Sequence, residues 1–126
     1  MSGISQRHLP DNADVLAPDG SEVRILVATG RGSMAHFRLQ PGQVAKAIHH
    51  RTVDELWFVT AGCGRIWRKD QAGETVTGLV PGLSLTIPAG TSFQFRCDGE
   101  EALDIVGVTM PPWPGEDEAQ FVQGPW

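Results

Sequence analysis

The segment Pro41-Gly-Gln-Val-Ala-Lys-Ala-Ile-His-His-Arg-Thr-Val-Asp-Glu-Leu-Trp-Phe-Val-Thr-Ala-Gly62 begins and ends on turn residues. Proline presets φ and glycine supplies positive φ, so Pro41-Gly42 and Gly62 each mark a reversal of the chain. Between them, Glu55, Trp57 and Val59 alternate with Leu56, Phe58 and Thr60. That period of two is the signature of a strand. If Glu55 faces an interior, Trp57 and Val59 face it too. A carboxylate among such neighbours loses its water, and this raises its pKa and marks it as a candidate functional group.

The same rhythm continues outward in both directions. Upstream, Val23, Ile25 and Val27 alternate within Glu22–Ala28, and Ala35, Phe37 and Leu39 alternate within Ser33–Leu39. Downstream, turn signals recur at Gly62-Cys-Gly64, Asp70 to Gly73, Pro81-Gly82, Pro88-Ala-Gly90 and Asp98-Gly99. Turns spaced by roughly 8–12 residues indicate a β-sandwich or barrel. Strands are expected at 55–60, 65–69, 74–80, 83–87, 92–96 and 102–110. Residues 1–20 read as loop. A single helical turn is the most that 117–122 could form, and 11–16 is a weaker helical candidate.

Composition narrows the function classes. With 40% hydrophobic and 20% charged residues, the 126-residue chain is a folded domain rather than a disordered one. The 15 Gly and 9 Pro favour short strands over long helices. A net charge of −5 argues against nucleic acid as a partner. Arg65, Arg68 and Lys69 form the only tight basic group, which reads as a solvated hairpin edge. Cys63 and Cys97 form no metal or redox motif and read as free thiols. No apolar run is long enough for a membrane span, and the first twelve residues lack a signal peptide's apolar stretch. The expected location is the cytoplasm, with no membrane partner.

The segment quoted first resembles the opening motif of the cupins. Gly42, His50, Glu55 and Gly62 stand at its glycine, second histidine, glutamate and closing glycine, while Ile48 holds the first histidine position. The segment from Pro81 to Arg96 resembles the second cupin motif through Gly82, Pro88 and Gly90, with Phe93 where that motif has histidine. The chain is also similar to small single-domain bacterial cupins that end in Pro-Pro-Trp-Pro-Gly, here residues 111–115. The resemblance implies an all-β fold, a single-domain double-stranded β-helix or jelly-roll barrel. It covers a barrel at 22–110, leaving an N-terminal extension at 1–21; because Trp113, Phe121, Val122 and Trp126 stand in an acidic, proline-rich tail, 111–126 is expected to be a C-terminal docking segment. In that segment Trp113 and Phe121 are the expected apolar anchors, with Glu116, Asp117 and Glu118 solvated.

Three functional readings follow. In the first, the chain binds a small molecule and acts as an isomerase, epimerase or lyase-like enzyme, with His50 and Glu55 as the acid–base pair. Trp57, Phe93 and Phe95 then line the ligand pocket. In the second, it is a metal-dependent, dioxygenase-like cupin. No cofactor is fixed by the residues, and a divalent metal (Zn, Fe, Mn or Ni) is implied only by the resemblance. His50 and Glu55 would be ligands, with His49 as the third, or alternatively His36. In the third, a filled barrel serves as a non-catalytic binding or regulatory module. Leu56 and Phe58, facing away from the interior, suggest a homodimer.

Overall fold

The computed structural model describes residues 3–126, so the first two residues of the N-terminal extension lie outside the described residues. Eleven strands form: β1 (Val15–Leu16), β2 (Glu22–Ala28), β3 (Ser33–Leu39), β4 (Ile48–His50), β5 (Asp54–Ala61), β6 (Gly64–Asp70), β7 (Gly73–Leu79), β8 (Ser84–Ile87), β9 (Ser92–Cys97), β10 (Leu103–Met110) and β11 (Ala119–Phe121). They make two antiparallel sheets, one ordered β1-β2-β3-β10-β5-β8 and the other β11-β4-β9-β6-β7. The fold is the expected all-β jelly roll. Among the described residues no helix is long and apolar enough to cross a membrane.

The core lies between the sheets, where the alternation of each strand turns its apolar set inward. Leu39, Val59, Ile66, Leu79, Ile87, Leu103 and Ile105 are all fully buried there. Two glycines set the spacing. Gly62 has φ 81°, and a Cβ on it would meet the Ala102 carbonyl oxygen at 2.3 Å. Gly107 leaves room for aromatic rings, since a Cβ there would come within 2.6 Å of Phe37 and 3.2 Å of Trp57.

Three strands were not evident from the sequence. β4 is short and flanked by irregular chain. β1 lies in the stretch read as loop and pairs with β2, Val15 opposite Val23. β11 lies within 117–122, where the sequence predicts at most one helical turn. A 3-10 turn at Glu116–Glu118 leads into it, and it pairs with β4 to place Ala119 opposite His50. Residues 11–16 form no helix.

The tail corrects two expectations. Phe121 is 63% exposed, so it is no buried anchor; its ring lies 5.5 Å from Lys46 Nζ instead. Glu118 is buried rather than solvated. Its carboxylate accepts hydrogen bonds from the Thr52 amide, from Thr52 Oγ1 at 2.7 Å and from the Val53 amide at 2.8 Å. These donors come from the bend joining β4 to β5, which has no strand partner for them.

Candidate functional site

Glu55 begins the inward row of β5 and Trp57 follows it, both buried. His50 ends β4 on the opposite sheet, with Ile48 inward beside it and His49 between them turned outward. The His50 carbonyl accepts the Gly90 amide at 2.8 Å, which ties the end of β4 to the turn between β8 and β9. The two side chains meet across the interior, with His50 Nδ1 3.5 Å from Glu55 Oε2. Among the described residues neither of those atoms, nor the Trp57 indole Nε1, completes a hydrogen bond of good geometry, although all three are buried; the indole N–H still acts on Glu55 and offsets part of the effect of burial on its carboxyl.

Burial sets the charge state. It pushes the Glu55 carboxyl up to about 8 and the His50 imidazole down to about 4. At neutral pH both are therefore uncharged, and the proton resides on the carboxyl. A protonated Glu55 is a donor and a neutral imidazole an acceptor. The pair combines an acid and a base in one apolar setting.

Aromatic rings enclose the pair. Phe93 meets His50 edge-on at 5.2 Å between ring centroids, and Trp57 packs against Phe93 at 5.8 Å and Phe95 at 4.8 Å. Trp113, 37% exposed, stacks edge-on against His50 at 5.0 Å. Its backbone amide donates to Ser33 Oγ at 2.9 Å, so the residue is tied to β3 while its indole lies against the imidazole. Burial acts to raise the Glu118 carboxyl, but the hydrogen bonds from Thr52 and Val53 outweigh it and hold Glu118 below its ordinary range. The sequence named neither Trp113 nor Glu118 as a site residue. The only available signal was aromatic residues in an otherwise polar, proline-rich tail.

The ligand set implied for a metal is not assembled. His49 points away from Glu55, and its strand neighbours are Ser92 and Gln120. His36 is buried on the outer face of its sheet, opposite Arg24 and Val106, with Nε2 3.6 Å from Asp104. Parity separates both from the interior, because adjacent residues of a strand point to opposite faces. Among the described residues no group of three or more His, Cys, Asp or Glu side chains could hold a metal ion. Catalytic sites for transition metals usually present at least three protein ligands, so His50 and Glu55 alone do not fit one.

A family model described as a cupin domain matches residues 35–109, more than half of the chain. Among solved structures, the chain is similar to an uncharacterized conserved protein with a double-stranded β-helix domain from Klebsiella pneumoniae. That match has a TM-score of 0.69 at 18% identity and covers 86% of this chain and 91% of the other. It is similar to KdgF from Halomonas, with a TM-score of 0.68 at 15% identity over 83% and 94% of the two chains. It is also similar to oxalate decarboxylase from Bacillus subtilis, with a TM-score of 0.77 at 16% identity over 94% of this chain but 32% of that one. At these identities the likeness shows the fold alone. No curated protein matches the chain.

Proposed function

The chain belongs to the cupin-domain family, and on that premise we propose that it binds a small molecule in the barrel and moves protons on it with Glu55 and His50, without a tightly held metal. The observation that carries this reading is the 3.5 Å approach of His50 Nδ1 to Glu55 Oε2, both buried and neither completing a hydrogen bond of good geometry among the described residues. A buried unpaired polar group costs free energy, so an arrangement of this kind usually serves a purpose beyond folding. The reaction class it suits is isomerisation, epimerisation or elimination at a carbon next to a carbonyl. Protonated Glu55 donates to the carbonyl oxygen while neutral His50 takes the proton from the neighbouring carbon. For isomerisation or epimerisation the imidazolium of His50 returns its proton to a carbon of the enol while the Glu55 carboxylate takes back the hydroxyl proton; for elimination the enol expels its β-substituent, which takes the His50 proton, as Glu55 recovers its own. A substrate would reach the pair past Trp113, whose half-exposed ring lies against His50.

Solvent-exchange labelling tests this. The protein is incubated in deuterium oxide with a panel of keto sugars and 2-oxo acids. Deuterium should enter the carbon next to the carbonyl of at least one of them, and Glu55→Gln should abolish the exchange. No exchange with any compound, and no binding detected by shifts of the Trp57 or His50 signals, would remove the reading.

One observation favours the non-catalytic alternative. Trp57, Phe93 and Phe95 are almost completely buried and packed edge to face, as in a barrel filled by its own side chains. The labelling experiment separates the two readings, because a filled barrel exchanges nothing.

A further inference from the structure

Arg65, Arg68 and Lys69 are neighbours in sequence, but the fold gives them different surroundings. Arg65 is exposed and pairs with Asp98, Nε to Oδ2 at 2.7 Å. Arg68 lies on the inward side of β6 with Ile66, half-buried, and is the cross-strand partner of Phe93. Its guanidinium reaches from one sheet to the other. Nη1 donates to the Thr86 carbonyl of β8 at 2.9 Å and Nη2 to Thr77 Oγ1 of β7 at 3.0 Å. Nε has no partner.

Both acceptors are neutral. Among the described residues no carboxylate lies within 4.0 Å of this guanidinium. A cation in this position has given up part of its hydration without gaining a counter-charge, which is unfavourable. It borders a crevice of about 400 Å³ between the β6–β7 hairpin and the β8–β9 turn, where Lys69, Thr75, Thr86 and Thr91 also line the walls.

Two acids share that crevice, and each is already engaged. Glu74 accepts the Trp67 indole N–H at 2.6 Å, and Asp70 accepts the Ala72 amide at 2.8 Å within the hairpin turn. Neither acid pairs directly with Arg68, but their presence in the crevice makes it unsuited to a multiply charged anion. One further negative charge placed against Arg68 would still gain directional hydrogen bonds, because a guanidinium presents its donors as a planar fork that matches a carboxylate. We propose that this crevice binds the carboxylate group of a small monoanionic molecule, with Arg68 as the anchoring cation and Lys69 and the threonine hydroxyls as supporting donors. The site is separate from the Glu55–His50 pair and does not depend on what that pair does.

Titration of the isotopically labelled full chain with sodium acetate, at ionic strength held constant with sodium chloride, tests the site by NMR. Acetate should cause saturable shifts of the Arg68 side-chain N–H and of amides along 68–77 and 86–91. Arg68→Gln should weaken binding by at least about tenfold. Arg68→Lys should retain part of it, which guards against a folding defect in the first variant. Shifts that grow linearly without saturating, or that persist unchanged in Arg68→Gln, would overturn the proposal. So would tighter binding of phosphate at a pH where it carries two charges.

Discussion

Ile48 of β4 and Phe93 of β9 are direct cross-strand partners, and both side chains point into the barrel within reach of His50 and Glu55. These are the two positions at which the cupin motifs carry histidine. Their pairing means that the ligands absent from this chain are absent from one spot rather than scattered.

Replacing both restores a four-ligand set in one place. Ile48→His with Phe93→His should raise affinity for Zn or Mn by at least about 100-fold over the parent, since metal binding needs the full donor set together. Calorimetric titration of the two proteins checks it. The variant should also be less stable, because Phe93 loses its contact with Trp57. Equal metal affinity in the two proteins would mean that these positions do not converge on His50 and Glu55.

Much of this was legible in advance, for a specific reason. The turn glycines and the period-two alternation around Glu55, Trp57, Phe93 and Phe95 depend only on local geometry, and local geometry is what a sequence states most directly. His50 inward and His49 outward follow from the same parity. His36 was ambiguous because its neighbours Ala35 and Phe37 left open which face would be covered. The tail was misread because its contacts are distant in sequence. Glu118 satisfies amides 65 and 66 residues away, and no local pattern announces such a partner.

Stability should depend on pH in a way that the Glu55→Gln variant can separate. Burial holds Glu55 protonated up to about 8, against an ordinary 4.5, and keeps His50 neutral down to about 4, against an ordinary 6.5. Between pH 4.5 and 6.5 the folded chain keeps a proton on Glu55 that the unfolded chain loses, while the unfolded chain gains one on His50 that the folded chain lacks. The two slopes oppose each other. Above pH 6.5 His50 and His36, both lowered by burial, no longer contribute, and the buried acids Glu55 and Asp19, both raised by burial, make stability fall as the pH rises toward 8. The share of that loss due to Glu55 is about 2 kcal/mol. Glu118 contributes stability that is lost only at acid pH, outside this window. Urea midpoints across the interval should decline more steeply in the parent than in Glu55→Gln, and equal slopes in the two would show that Glu55 is not held protonated.

The outer face of the six-stranded sheet should form a homodimer. Leu56 is 44% exposed and Phe58 48%, and across β10 they stand opposite Val108 and Val106. Val108 in turn stands opposite Met34 of β3. A contiguous apolar surface on a charged protein usually marks an interface, and a two-fold pair is the commonest way to cover one. Light scattering at micromolar concentration should give a dimer mass for the parent and a monomer mass for Leu56→Lys with Phe58→Lys. A monomeric parent would refute the dimer.

Besides the β11–β4 pairing and the bond from the Trp113 amide to Ser33, the tail has two side-chain anchorages, and they should fail differently. At the far point, the buried amide of Gln94 brackets the backbone of Trp126, donating to its carbonyl and accepting its N–H, both at 3.0 Å. Gly124 passes so close that a Cβ would meet Gln94 Oε1 at 2.3 Å and the Ala47 Cβ at 2.6 Å. Gly124→Val should therefore unseat only the end of the tail, at a cost of about 1–3 kcal/mol. At the near point, Glu118 satisfies two amides and a hydroxyl beside His50. Glu118→Ala leaves those donors without their charged acceptor and should cost about 3 kcal/mol. Only this second change should release Trp113 from His50, because Glu118 lies between Trp113 and the β11–β4 pairing. Tryptophan fluorescence should therefore respond to acid titration of His50 in the parent and in Gly124→Val, but much less in Glu118→Ala. Truncation after Met110 should remove both points together and lower the melting temperature by more than either substitution. If Glu118→Ala melts within about a degree of the parent, a shift equivalent to only a few tenths of a kcal/mol, and its fluorescence still follows the imidazole, then Glu118 does not hold Trp113 in place.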